Sequence, residues 1–149
     1  MPVTTYTTEP KVRHEAWFDN NDNISTDTID QYRVQANGRV NTVLAQKYTI
    51  PLNALLFTNS SAAALLDLIE MLLAAWYLLN VEYEDATGIA MGDDRIDRAE
   101  SMLKQILTGE LILIDNAGQA FDTKWGQEQV ISGNPTNSDC RKFSVNMKF

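Results

Sequence analysis

The sequence predicts a mainly α fold, a small four-helix bundle with a short β-like segment and an extended C-terminal arm. Three observations predict it. Apolar residues recur at steps of three and four from Ile29 to Leu44 and again from Ile96 to Leu107, which is the spacing of one helical face. Between those stretches, Ala62 to Leu79 is apolar in nearly every direction, and a helix without a polar face must be surrounded. From Asp115 onward Gly, Asn, Ser and Thr become frequent and aromatics stand singly. The expected division is a helical bundle domain over residues 1–114 and an arm over residues 115–149 that docks on a partner.

The elements follow from local chemistry. Thr8-Glu9-Pro10 opens a first helix running to about Phe18, with a capping hydroxyl, an acid at the positive end of the dipole and Pro in the first turn. Val12, Ala16 and Trp17 offer its apolar face. The run Asp19-Asn20-Asn21-Asp22-Asn23 breaks it, because these side chains compete with helical backbone bonds. Ser25 or Thr26 caps a second helix in which Ile29, Tyr32, Ala36, Val40, Val43 and Leu44 share a face, and Tyr48-Thr49-Ile50-Pro51 closes it. Gly38 weakens this helix by about 1 kcal/mol relative to Ala.

A third helix starts near Ser60 or Ser61, with Trp76 and Tyr77 as large core fillers. Gly88 and Gly92 flank a loop, Asp93 or Asp94 caps a fourth helix carrying Ile96, Ala99, Leu103, Ile106 and Leu107, and Gly109 ends it. Leu111 to Ile114 is a short strand-like run, followed by a turn at Asp115-Asn116-Ala117-Gly118. The length of Ala62 to Leu79 is close to the ~20 residues that a spanning helix needs. Asp67 and Glu70 inside it favour a buried core helix over a membrane span.

Composition narrows the function. A single domain of 149 residues with one hydrophobic core is expected. The net charge of −8 argues against tight nucleic-acid binding, which needs Lys and Arg against phosphate. The one cysteine, Cys140, makes no internal disulfide and points to a reducing cytoplasm, and no secretion signal opens the chain. His14 is the only histidine and lies far in sequence from Cys140, so neither a triad nor a zinc site is formed from this composition. Asp19, Asn21, Asn23 and Asp30 imitate calcium-loop positions, but Ile24 stands where the turn glycine belongs. Asp93, Asp94 and Asp97 are explained by the start of a helix. No enzyme motif, catalytic residue or cofactor is indicated.

The last ten residues hold Arg141, Lys142 and Lys148 and no acid, a reversal of the overall sign. Single apolar anchors on a polar segment suit docking on a partner, with ordering on contact. The alternative is a tail folded back on its own bundle, or disordered. Phe121, Trp125, Arg141, Lys142, Phe143, Met147 and Phe149 are the candidate partner-binding residues.

Several motifs in order along the chain resemble the head-to-tail adaptor, or neck, proteins of tailed bacteriophages, in their Mu-like branch. They are Tyr6-Thr7-Thr8-Glu9, Tyr48-Thr49-Ile50-Pro51, Ala75-Trp76-Tyr77-Leu78, Arg98-Ala99-Glu100 and Leu107-Thr108-Gly109-Glu110-Leu111. The series closes with Arg141-Lys142-Phe143-Ser144 and Met147-Lys148-Phe149. The chain departs from the pattern at Ala54 to Ser61, at Gly88 to Asp94 and in its final Lys-Phe. The resemblance implies a virion subunit made in the host bacterial cytoplasm, one copy of a dodecameric ring. That ring would sit beneath the portal protein, pass DNA without reading its sequence, and offer its other face to the next neck or tail completion protein. Phe143, Met147 and Phe149 would then anchor in the portal or a neighbouring copy, with Arg141 and Lys142 pairing with acids there. The competing expectation is a cytosolic helical assembly or regulatory protein that binds a partner transiently.

Overall fold

The computed structural model describes residues 5–19, 22–82 and 86–124, and of residues 86–91 the backbone alone. Among the described residues there are five helices and no strand, so the mainly α class holds.

Helix α1 (Glu9–Glu15) begins after extended Thr8, with Glu9 and Pro10 in its first turn. It is shorter than expected. The Trp17 N–H donates to His14 O and the Phe18 N–H to Arg13 O, closing the last turn with Trp17 in the left-handed region at φ 63°. That hydrogen-bond pair is the Schellman cap, whose left-handed position usually falls to Gly. Val12, Ala16 and Phe18 turn inward, and Trp17, expected on the apolar face, turns out.

Helix α2 (Thr26–Leu44) is capped by Ser25, whose Oγ accepts from the Thr28 N–H at 3.1 Å. Its buried face carries Ile29, Ala36, Val40 and Leu44, as the spacing predicts. Gly38 lies on the exposed side, and a Cβ there would meet nothing within 4 Å. Gly38→Ala should therefore raise the unfolding free energy by about 0.5–1 kcal/mol, read as a higher urea midpoint at unchanged slope.

A single helical turn, α3 (Ala54–Phe57), follows the cis Ile50–Pro51 bond. Asn53 caps it, its Oδ1 accepting from the Leu55 N–H at 3.0 Å. Helix α4 (Ser61–Glu82) is capped by Ser60, whose Oγ accepts from the Ala63 N–H. Helices α1, α2 and α5 (Ala86–Thr108) all pack on α4, and Leu66, Ile69, Leu72, Leu73, Ala74, Ala75 and Leu78 are fully enclosed. By length and composition alone α4 could cross a membrane, yet 56% of its most apolar window is buried inside the fold.

Two expectations about this region are corrected. Trp76 and Tyr77 are half-buried at the rim of α4 and do not fill the core; Trp76 lies against Tyr77 with ring centroids 4.7 Å apart and under the Arg39 guanidinium. Nor is there a loop from Gly88 to Gly92, because α5 begins at Ala86 and runs through both. Packing overrides the weak helix propensity of glycine here. A Cβ on Gly92 would stand 3.1 Å from Trp76 Cδ1, so the bare glycine lets α5 close against α4.

Gly109 ends α5 at φ 85°, as expected. The strand-like run forms one isolated bridge, Ile114 with Ala120, across a turn in which Asp115 Oδ1 accepts from the Ala117 and Gln119 N–H groups. The chain then returns along the end of α2, where Thr123 bridges Tyr48 and the Lys124 N–H donates to Lys47 O. Residues 115–124, assigned to the arm by composition, are thus built into the helical body.

Candidate interaction surface

The most constrained polar group is Glu70, fully buried at the middle of α4. Its carboxylate accepts from the Tyr6 N–H at 3.0 Å, the Thr7 N–H at 3.1 Å and Asn37 Nδ2 at 2.8 Å. Around it Asn41 donates to Asn37 Oδ1, the Tyr6 hydroxyl donates to Asn41 Oδ1, and Arg33 donates to Thr7 O. Burial raises the Glu70 carboxyl above the usual range, while its three hydrogen bonds and the Arg33 charge act the other way. Burial, and after it the nearby Glu70 charge, push the Tyr6 phenol up to about 12. This cluster ties residues 5–7 to α2 and α4. The Glu70 carboxylate is fully engaged by these neighbours, while Thr7 Oγ1 and Arg33 Nε are buried without a hydrogen-bond partner among the described residues, and the cluster places Tyr6 against Phe57 of α3 with ring centroids 5.4 Å apart.

Outside that cluster, Trp17, Val34, Leu55, Leu56, Val81 and Ile112 are exposed apolar side chains among the described residues. Trp17 is 70% exposed, and its ring carries the Arg95 guanidinium 5.6 Å from the centroid. Arg95 is itself buried, donating to Glu15 O and paired with the Glu15 carboxylate at 3.2 Å. A left-handed conformation costs a residue with a side chain about 1–2 kcal/mol more than it costs Gly. An exposed Trp in that position gains little burial in return.

A second such feature is the pair Leu55, 84% exposed, and Leu56. Asn116 fastens it, its Nδ2 donating to Leu55 O and its N–H to Leu56 O. Sequence spacing indicated neither feature. The signals available were an aromatic immediately after a short helix and an Asn-capped Ala-Leu-Leu-Phe turn, and both depend on which way a single side chain points.

Of the residues expected to bind a partner, Phe121 is corrected to a core residue: it is 9% exposed and its N–H donates to Leu113 O. The return of the chain along α2 carries it inward. Trp125, Arg141, Lys142, Phe143, Met147 and Phe149 lie outside the described residues. Asp19 faces His14 Nδ1 at 3.2 Å and Asp30 pairs with Arg33, while Asn21 of the same run is outside the described residues. Among the described residues no group of three or more His, Cys, Asp or Glu side chains is placed to hold a metal ion. Comparison with known proteins finds no matching family model, no matching curated protein and no matching solved structure.

Proposed function

We propose that this chain is a structural subunit of a tailed-phage neck, one copy of a ring that joins the capsid portal to the tail and lets DNA pass, with no catalytic residue or cofactor. The observation that carries the proposal is the order of the family-like motifs from Tyr6 to Phe149 along one chain. In this reading α1, α2, α4 and α5 are a four-helix bundle forming the ring wall. The chain beyond Lys124 is the arm that grips the portal or a neighbouring copy.

The charge of −8 suits a channel past which DNA slides without adhering. Exposed Trp17, Leu55, Leu56 and Ile112 supply apolar contact area suited to an assembly partner. The other face of the ring receives the next neck or tail completion protein, and the subunit, made in the bacterial cytoplasm, stays in the finished virion.

Deleting the residues after Asn137 should leave the helical circular dichroism nearly unchanged and abolish attachment to portal-bearing heads. Unchanged attachment would refute the arm assignment. Absence of the chain from mass spectra of purified virions would refute the neck role itself.

A further inference from the structure

Asn37-Gly38 is the one Asn-Gly pair of the sequence, and it lies inside α2 with one residue turned in and the other out. Asn37 is 5% exposed, its Nδ2 donating to Glu70 Oε2 at 2.8 Å and its Oδ1 accepting from Asn41 Nδ2 at 2.8 Å. Gly38 faces solvent, and neither packing nor a left-handed backbone calls for glycine there. It weakens the helix beside an amide that the buried cluster needs.

What glycine supplies at that position is reactivity, because no Cβ beside its backbone nitrogen blocks approach to the preceding side chain. Once a base takes the Gly38 amide proton, the nitrogen can attack Asn37 Cγ. The new N–C bond closes a five-membered imide, and Nδ2 takes up a proton and leaves as ammonia. Water then opens the ring. Breaking its bond to Cγ gives an aspartyl residue; breaking its bond to the backbone carbonyl carbon gives an isoaspartyl residue, with the chain running through the side chain.

We propose that Asn37-Gly38 is a self-modification site that the fold holds closed, so that chains left open at α2 deamidate there and lose the seat of the strap at residues 5–7. Three features close it. The ring needs the Gly38 nitrogen eclipsed with Asn37 Cβ, which helical backbone angles do not allow. The Gly38 N–H lies within the hydrogen-bond ladder of α2, and Glu70 and Asn41 hold the Asn37 amide from both ends. The reaction therefore runs through the open fraction.

Its products do not fit the fold. An aspartyl side chain brings a second carboxylate to Glu70 where a donor stood at 2.8 Å, so the buried anion loses one of its hydrogen bonds and gains a like charge. An isoaspartyl link adds a carbon to the backbone and breaks the register of α2. Modification of the open chain is thus an irreversible exit from folding.

The test holds the full chain at mildly alkaline pH, either folded in buffer or unfolded in guanidinium chloride, and then releases Val34–Arg39 with trypsin for mass spectrometry. In the unfolded chain this peptide should exchange –NH2 for –OH ahead of the peptides carrying other asparagines. In the folded chain the exchange should be at least about a hundredfold slower, because it waits on opening. Unfolded Gly38→Ala should keep its amide over the interval in which wild type is half converted.

After the denaturant is removed, converted chains should leave the Tyr6 and Thr7 amides unprotected from hydrogen exchange, as should Asn37→Asp. Unconverted chains and Gly38→Ala should recover that protection. Folded protein that deamidates as fast as unfolded, a Val34–Arg39 peptide no faster than the others, Gly38→Ala that reacts like wild type, or full protection in Asn37→Asp would each overturn the site. None of these outcomes depends on the neck assignment.

Discussion

Glu70→Ala should lower the unfolding free energy by about 3 kcal/mol, because it leaves three N–H donors in a dry site without their acceptor. The donors are the Tyr6 and Thr7 amides and the Asn37 side chain. Loss of the carboxylate does remove a buried charge. That relief is smaller than the cost of the orphaned donors, since the Arg33 side chain and the strap at residues 5–7 are arranged around the anion. Chemical denaturation measures the loss, and hydrogen exchange should show the Tyr6 and Thr7 amides losing protection before the helices do.

The pH dependence has a definite sign. The folded carboxyl holds its proton above the ordinary value of 4.5, so the folded state binds more protons than the unfolded state in the interval between the two values. This group's contribution is therefore fully present below 4.5 and is lost as pH rises through the raised folded value. In Glu70→Ala that slope should vanish. A variant as stable as wild type would show that the cluster does not hold the N-terminal strap.

Leu73→Ala should cost about 2–5 kcal/mol, the range for deleting a fully enclosed Leu side chain when its surroundings relax only in part. Leu73 is 0% exposed on a helix packed by α1, α2 and α5. Leu65, on the same helix, is only half-buried. Leu65→Ala should accordingly cost no more than about half as much, because less area leaves water on folding and solvent can refill the space. Urea midpoints of the two variants decide it. Equal losses would mean that α4 is enclosed on every side, as its composition taken alone suggests.

The comparison of these two leucines shows where composition stops. Ala62 to Leu79 announces a helix that needs cover, and periodicity announces α2 and the second half of α5, because both signals come from residues three and four apart on one segment. The same local chemistry identifies Ser25 as a cap, Gly109 as a stop and Asp115 to Gly118 as a turn. What surrounds α4 is a different kind of fact. Trp76 reads as a core residue in any hydropathy count, and it sits at the rim because Gly92, sixteen positions on, brings α5 against its edge. For the same reason the helix runs through a stretch that by itself reads as loop: the pairing of α5 with α4 outweighs two glycines.

The sequence by itself determined the helical class, the central helix, most caps and the acidic net charge. Each depends on the residue or on neighbours within a turn. Only the tertiary structure decided that Glu70 is bound by the strap at residues 5–7, that Phe121 closes the core, and that Trp17 and Leu55 remain outside. Those outcomes depend on groups tens of residues apart meeting in space, and on whether one side chain falls on the inner or the outer side of a turn. No periodicity within a segment encodes that.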